Sequence, residues 1–296
     1  MGLRNIIILV FLLSITNAFS NINHHSHDHE TNIESHLVDD FSLMYSGGLS
    51  GGSTEFSIFS LFSSINKDLR RANITNLHQG KKELILTIDD GPTAGVTDKI
   101  LDVLKRYDIQ ATFFILGSKV KGNKEILERM VKEGHIVANH SMEHKDIGEI
   151  RGIFKSRRIR EAIVDAHKAM EKYMVNSPKW YFRAPYGSWQ SRAAKIINDT
   201  PYGRNYYGPL LWDIGGELDA GVFKVRRAAD WGCWNKGWSV KKCLKGYINE
   251  TDEKRGGVVL FHDLHKNSAQ LIERYIKHYL AKGDYRFISL DDLDIR

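Results

Sequence analysis

The chain is organised around the stretch LILTIDDGPT, residues 84–93. Its apolar, partly β-branched run predicts a buried strand, which ends at the turn-forming pair Gly91-Pro92. Asp89 and Asp90 stand at the end of this strand, where two like charges raise each other's pKa unless a cation or a proton neutralises one of them. Taken alone, the stretch also fits an ordinary turn with a solvated Asp. The motifs further along the chain decide between these interpretations.

Strand-like and helix-like segments alternate from residue 82 onward. The predicted strands are residues 84–88, 111–115, 136–138, 180–182, 210–214, 258–261 and 287–288. The predicted helices are residues 97–107, 124–132, 156–174, 191–198, 240–249 and 268–281. Repeated β-α units with short loops favour a parallel sheet, and so many units in one domain favour a deformed (β/α) barrel. In such folds the active site lies at the carboxyl ends of the strands.

Polar residues follow nearly every predicted strand. They are Asp89, Asp90, His140, His144, Arg183, Tyr186, Asp213, His262 and Asp263. Because parallel strands bring their carboxyl ends to one edge of the sheet, we expect these side chains to form a single site. A scaffold that serves only its own stability has no need of this distribution.

The motif HSMEH places His140 and His144 four residues apart. On a helix or helical turn this spacing puts both imidazoles on one face, close enough to share an ion. Two His and one carboxylate with open coordination positions suit catalytic zinc or another divalent metal. The alternative is a capped helix start with two surface histidines. The Asp pair at another strand end favours the metal site.

Two further motifs supply candidate catalytic groups. In FRAPYG, residues 182–187, Arg183 is placed to pair with a carboxylate, and the Pro-Gly loop is suited to present backbone N–H groups to an oxyanion. In LFHD, residues 260–263, His262 is a candidate general acid. Each motif also has an ordinary interpretation, as an Arg on a rigid turn and as a His that is merely hydrogen-bonded.

Together these motifs resemble those of the polysaccharide deacetylase family with its NodB-like domain. The matching segments are TIDD (87–90), HSMEH (140–144), RAPY (183–186) and LFHD (260–263), in the family's order, over roughly residues 82–296. The resemblance implies a deformed (β/α) barrel. It also implies a metal-dependent hydrolase that cleaves a non-peptide carbon–nitrogen bond, removing an N-acetyl, less often an O-acetyl, group from a glycan.

The resemblance implies a division of roles between the two neighbouring carboxylates. Carried over by position, Asp90, His140 and His144 would hold a divalent ion, usually Zn²⁺, with Co²⁺ as an alternative. Asp89 would be the general base that activates the attacking water, and Arg183 would hold Asp89 in place. A metal and a base together meet the need of an amide for a strong nucleophile.

The same resemblance implies roles for four more residues. The backbone N–H of Tyr186 would stabilise the oxyanion, and His262 would protonate the leaving amine. Leu260 and Trp212 would line the pocket for the acetyl methyl group. An imidazole suits the proton transfer because its pKa lies near neutrality.

One family motif is not assigned by the sequence. The family usually places an Asp-Trp pair after a strand, where its Asp tunes the catalytic His, but here the corresponding stretch is LWDIGGELDA, residues 211–220. Asp213, Glu217 and Asp219 all remain candidates for that role. Ile88 also departs from the family, which commonly has an aromatic residue there.

The insertion that follows carries the chain's two cysteines, Cys233 and Cys243, with Trp231, Trp234 and Trp238 around them. A close, even pair of cysteines in an exported protein predicts a disulfide rather than a metal site or free thiols. The tryptophans are suited to stacking against sugar rings at the rim of a glycan groove. They fit a small disulfide-stapled core equally well.

Three parts are predicted along the 296 residues. Residues 1–20 read as a secretory signal peptide, residues 21–80 as a polar His/Gly-containing extension with a short helix, and residues 81–296 as the deacetylase domain. We therefore expect a secreted or periplasmic protein without a membrane span in the mature chain. The formal net charge of +6 and the pI near 9.1 favour an anionic partner, but the scattered Lys and Arg do not predict nucleic-acid binding.

The leading hypothesis is a metal-dependent deacetylase that acts on N-acetylglucosamine units of a cell-wall glycan, peptidoglycan before chitin-type oligomers. One alternative is an O-acetyl esterase acting on xylan-like glycans. Another is a non-catalytic glycan-binding protein on the same scaffold, and a third is a metal-scavenging protein led by the His-rich segment, residues 24–29.

Overall fold

The computed structural model describes residues 80–221 and 224–293. The predicted signal peptide and the predicted extension, up to residue 79, lie outside the described residues. Among the described residues, no helix is both long enough and apolar enough to cross a membrane.

Nine strands and nine α-helices are found in the described residues. The strands are β1 Glu83–Asp89, β2 Thr112–Ile115, β3 Ile136–Asn139, β4 Trp180–Tyr181, β5 Tyr206–Tyr207, β6 Asp219–Ala220, β7 Val225–Arg227, β8 Gly257–His262 and β9 Arg286–Phe287. The helices are α1 Thr97–Tyr107, α2 Gly117–Val120, α3 Lys124–Lys132, α4 Lys155–Arg160, α5 Ala166–Met170, α6 Ser191–Asn198, α7 Asp230–Asn235, α8 Val240–Lys254 and α9 Ser268–Lys282.

The main sheet is parallel, with the order β3-β2-β1-β8, and β9 pairs with the start of β1. β4 and β5 form a separate parallel pair, which a bridge between Asn139 and Phe182 joins to the end of β3. A second bridge, between Ile214 and Val259, joins the segment after β5 to β8. The segment from β5 to Ile214 therefore connects both edges, and the sheet closes as the deformed barrel that the sequence predicts.

The prediction of a strand at residues 210–214 is wrong, because only Ile214 makes a bridge there. The Arg183 side chain hydrogen-bonds the main chain of this segment. Its guanidinium donates to the carbonyls of Leu210, at 3.0 Å, and Leu211, at 3.1 Å. Pro209 has no N–H to donate to a ladder. Side-chain hydrogen bonds thus replace part of the strand pairing beside the site.

Both faces of β1 are covered, so its residues from Leu84 to Asp89 are buried. Leu84, Leu86 and Ile88 belong to the larger apolar cluster, which includes the helices. Ile85 belongs to the smaller cluster, which is built mainly from residues of the strands. Since side chains alternate along a strand, Asp89 at the end of β1 points to the inner side, like Ile85.

The predicted helices 97–107, 124–132 and 191–198 are confirmed at both ends. The long helix predicted at residues 156–174 is interrupted. α4 is followed by a π-turn at Glu161–Asp165, then by α5 and a short 3₁₀ turn at Glu171–Tyr173. An apolar pattern of helical period does not reveal one extra residue in a turn, since the buried face is kept.

Candidate active site

Two strand ends bring the first pair of ionisable groups together. β1 and β8 are parallel and in a register that pairs Asp89 with His262, so both side chains leave the same face of the sheet. Asp90 follows with φ 76°, which ends the strand and turns its side chain. Asp89 Oδ2 lies 3.6 Å and Asp90 Oδ1 3.3 Å from the Nε2 atom of His140. Both neighbouring carboxylates therefore reach one site.

The residues 140–144, named here the HSMEH loop, bring two imidazoles to Asp90. Asp90 Oδ1 lies 3.1 Å from His144 Nε2, and one ligand atom each from Asp90, His140 and His144 lie within 4.8 Å of one another. The expectation that this motif is helical is wrong, because Ser141 and His144 have φ values of 72° and 55°. The loop is a bent turn, and the imidazoles converge through that bend.

The donor set fits a divalent cation. His140 Nδ1 lies 2.8 Å from the carbonyl of Arg183 and donates to it, which leaves the Nε2 lone pair facing Asp90. Asp90 Oδ1 is buried, and no donor is aligned to hydrogen-bond it. One carboxylate oxygen and two imidazole nitrogens that face one another at these distances form the kind of cavity that a divalent cation fills.

The charge states of these groups agree with metal binding. Burial acts to raise the pKa of Asp90, but the contact with His140 and the attraction to His262, His140 and His144 lower that pKa to about 2. Burial lowers the pKa of His144, although the Asp90 carboxylate opposes this. A carboxylate ionised throughout the physiological range beside a preferentially neutral imidazole is what a divalent ion requires.

Arg183 holds Asp89 from inside the barrel. Its side chain is fully buried, and Nη1 donates to Asp89 Oδ1 at 2.7 Å and to Thr87 Oγ1 at 2.9 Å. Its cation also lies over the Phe114 ring, 4.1 Å from the centroid. Because Arg183 occupies Oδ1, the other oxygen of Asp89 remains directed to His140. The two carboxylates therefore have different partners, as the sequence predicts.

His262 is hydrogen-bonded to Asp230, a residue that the sequence did not predict as part of the site. The Nδ1–H and the main-chain N–H of His262 donate to the two oxygens of Asp230, each at 2.7 Å, and Asp230 is fully buried. Burial acts to lower the pKa of His262, but the charge of Asp230 and its hydrogen bond, with Asp89 and Asp90, raise that pKa to about 9. The imidazole is thus protonated near neutral pH.

The three residues predicted as candidates for this role bind other groups. Asp213 accepts a hydrogen bond from the Val258 amide, and exposed ion pairs join Glu217 to Arg227 and Asp219 to Arg226. The expected Asp-Trp pair after a strand is present elsewhere, as the first two residues of α7, shortly after β7. That dipeptide, at residues 230–231, was the signal that could have identified the partner of His262.

The remaining predicted residues lie around the same site. Tyr186 has φ 59°, and its ring is 4.6 Å from that of His144. The Trp212 ring lies 5.7 Å from the Arg183 guanidinium. A Cβ at Gly216 would meet the indole nitrogen of Trp212 at 1.6 Å, so this ring position requires glycine there. Leu260, which is buried, lies two residues before His262 on β8 and therefore on the same face.

The predicted disulfide is confirmed. Cys233 and Cys243 are bonded, with their Cα atoms 5.8 Å apart, and they join α7 to α8. Trp234 and Trp238 pack against the main apolar cluster, which favours the interpretation as a small core. Trp231 remains half exposed. The bridge stabilises the short helix that begins with Asp230.

Known proteins are similar to this chain in sequence and in fold. The sequence model of the family described as polysaccharide deacetylase matches residues 76–204. An uncharacterised 30.6 kDa protein of Geobacillus stearothermophilus is 34% identical over 213 residues, which are 72% of this chain and 71% of that protein. The peptidoglycan-N-acetylglucosamine deacetylase PgdA of Listeria monocytogenes is 32% identical over 212 residues, which are 72% of this chain and 39% of PgdA.

Among solved structures, the Bc1960 peptidoglycan N-acetylglucosamine deacetylase superposes with a TM-score of 0.56 at 25% identity, over 72% of this chain and 87% of that one. Fold and site together define a hydrolase built on a deformed (β/α) barrel. The chain belongs to the polysaccharide deacetylase family. The predicted enzyme class, polysaccharide N-deacetylase, is confirmed at this level.

Proposed function

We propose that this protein removes N-acetyl groups from N-acetylglucosamine units of a cell-wall glycan, with peptidoglycan favoured over chitin-type oligomers. One observation carries the proposal: three sets of groups lie at one end of the sheet. They are the converging ligand atoms of Asp90, His140 and His144, the Asp89 carboxylate held by Arg183, and the His262 imidazole held by Asp230. An amide with a poor leaving group needs such a set, because attack and departure both require a proton transfer.

We propose that Asp90, His140 and His144 hold Zn²⁺, for which Co²⁺ would substitute. When bound, such an ion supplies Lewis acidity that activates water and polarises a carbonyl. The hydrogen bond from His140 Nδ1 to a carbonyl orients the imidazole, so that its Nε2 is presented to the ion.

Asp89 acts as the general base. Arg183 binds one carboxylate oxygen at 2.7 Å and fixes the orientation of the group, and the second oxygen takes the proton of the attacking water. The backbone N–H of Tyr186, a residue whose ring lies 4.6 Å from that of His144, stabilises the oxyanion.

His262 acts as the general acid. Its Nδ1–H is engaged by Asp230, so Nε2 carries the proton that passes to the leaving amine. Asp230 keeps the imidazole charged until that transfer, and the amine takes the proton as its bond to the acyl carbon breaks. Leu260 and Trp212 line the pocket that accepts the acetyl methyl group, an apolar surface for an apolar group.

We propose a secreted or periplasmic location and an anionic wall polymer as partner. The formal net charge of +6 supports the second point, since carboxylate-bearing glycans attract a basic protein. The bond between Cys233 and Cys243 supports the first, because disulfides persist in oxidising compartments.

Acetate release tests the proposal. The protein should release acetate from peptidoglycan faster than from chitooligosaccharides or acetylated xylan, lose the activity with a chelator, and regain it with Zn²⁺ or Co²⁺. Release that a chelator does not affect, or none from any of these glycans, would contradict the proposal. A preference for acetylated xylan would instead indicate an O-acetyl esterase.

A matched pair of variants separates ligand from base. Asp89→Asn should abolish acetate release while the protein still binds zinc, because Asp89 lies outside the three-residue ligand set. Asp90→Asn should weaken zinc binding itself. Equal loss of zinc affinity in both variants would refute the division of roles.

A further inference from the structure

The HSMEH loop is hydrogen-bonded to the π-turn at Glu161–Asp165. In a regular α-helix the Ala166 amide would donate to the Ala162 carbonyl, but here it donates to Ile163 O. The Ala162 carbonyl instead accepts a 2.7 Å hydrogen bond from the amide of Met142, in the middle of the loop. π-turns often occur at functional sites, and this one frees a carbonyl that faces a predicted ligand loop.

The Asn139 side chain makes a second hydrogen-bonded contact with the same loop. Its side chain is fully buried, and its amide nitrogen donates to Ile163 O at 3.0 Å and to the Tyr206 hydroxyl at 2.8 Å. Its amide oxygen accepts from the Ser141 N–H at 2.8 Å. One side chain thus ties the π-turn, the neighbouring strand β5 and the HSMEH loop together.

The loop needs such support because its backbone is unfavourable for its residues. Ser141 and His144 both have positive φ, a region that residues other than glycine rarely adopt. On the opposite side, the first amides of α2 donate to the loop: Gly117 N–H to Ser141 O and Ser118 N–H to Met142 O, each at 3.0 Å. The loop is therefore held between two helices.

We propose that Asn139 and the π-turn are positioning elements of the metal site, which set the bent backbone so that both imidazoles converge on Asp90 before the ion binds. This inference rests on the metal site proposed above. Tyr206 supports Asn139, since its hydroxyl also lies 2.7 Å from His167 Nδ1 and is thereby fixed in place. None of these residues contacts the reacting atoms.

Zinc affinity of the metal-free, full-length protein tests the inference, measured by competition with a chromophoric chelator. Asn139→Ala should weaken zinc binding about 10- to 100-fold, the usual effect of removing a group that orients ligands. Tyr206→Phe should cause a smaller loss, because Asn139 keeps its bond to Ile163. The matched control is Asn176→Ala, whose amide also donates to two main-chain carbonyls but lies away from the loop.

The absorption spectrum of the Co²⁺-loaded protein is the second measurement. A changed spectrum in Asn139→Ala, with wild-type spectrum and affinity in Asn176→Ala, supports positioning rather than general stability. Wild-type zinc affinity and Co²⁺ spectrum in a cooperatively folded Asn139→Ala protein would overturn it. Should that variant fail to fold, unchanged zinc affinity in Tyr206→Phe overturns it.

These outcomes separate the inference from the proposed function. A wild-type protein that binds no zinc would overturn the proposed metal site and this inference together. A wild-type protein that binds zinc and releases acetate, with variants of equal zinc affinity, would overturn the inference alone.

Discussion

Replacing Asp230 by Asn should make His262 lose its proton at a much lower pH. In the wild type the pKa of His262 is about 9, against 6.5 for an ordinary His, a difference worth about 3 kcal/mol. Asn has the same shape but no charge, and its NH₂ group hydrogen-bonds the neutral imidazole. With its pKa at 6.5 or below, His262 would be at most about one quarter protonated at pH 7, whereas the wild type is almost fully protonated.

The measurement has two parts. In the metal-free protein, the His262 resonance followed by NMR should titrate near pH 9 in the wild type and at or below 6.5 in Asp230→Asn. In the zinc-loaded enzyme, the variant should be slower than the wild type at pH 8, because less of its general acid is protonated, with the gap narrowing towards pH 5. Asp219→Asn, at a partly exposed residue paired with Arg226, is the matched control and should change neither result.

Stability should follow the same titration. Because the folded pKa of His262 lies above the unfolded value, protonated His262 in its environment of carboxylates stabilises the wild type fully below pH 6.5. That contribution, about 3 kcal/mol, is lost as the pH rises to 9, and the variant should lack this slope in urea unfolding. A His262 resonance that still titrates near pH 9 in Asp230→Asn would refute the reasoning.

Three further changes test other parts of the structure. Burial raises the pKa of Asp263 to about 7 from 3.8, so the wild type loses up to about 4 kcal/mol of stability as the pH rises from 4 to 7. Urea unfolding at pH 4, 5.5 and 8 should show that Asp263→Asn abolishes this dependence of stability on pH. Replacing Cys233 and Cys243 by Ser should lower the free energy of unfolding, measured by calorimetry, by about 3 kcal/mol, because the bridge spans a separation of 10 residues. An unchanged free energy of unfolding would contradict the presence of the bond. Arg183→Lys keeps the charge but loses the planar fork that hydrogen-bonds Asp89 and Leu210. It should lower the rate of acetate release, and it should lower the free energy of unfolding by about 3 kcal/mol. Wild-type values for both would contradict the assigned role.

The strand and helix pattern around the site was predictable because it depends on local burial. β1 reads as a buried strand since its apolar residues are covered on both faces, and α1 and α3 show apolar residues at helical spacing. Errors occur where a side chain or a backbone turn replaces the regular pattern. Arg183 takes the carbonyls that a strand at residues 210–214 would use, and the π-turn adds one residue to a helix without changing its apolar face.

The sequence by itself determined which chemical groups stand at the strand ends: the Asp pair, the HSMEH motif, Arg183 and His262. These follow from residue type and spacing, which the chain carries in one dimension. The tertiary structure alone decided how they pair. Asp230 lies 32 residues from His262, and the left-handed backbone of Asp90 and of the HSMEH loop sets where their ligand atoms meet. Such pairings depend on register and on contacts distant in sequence, and no local pattern of burial encodes them.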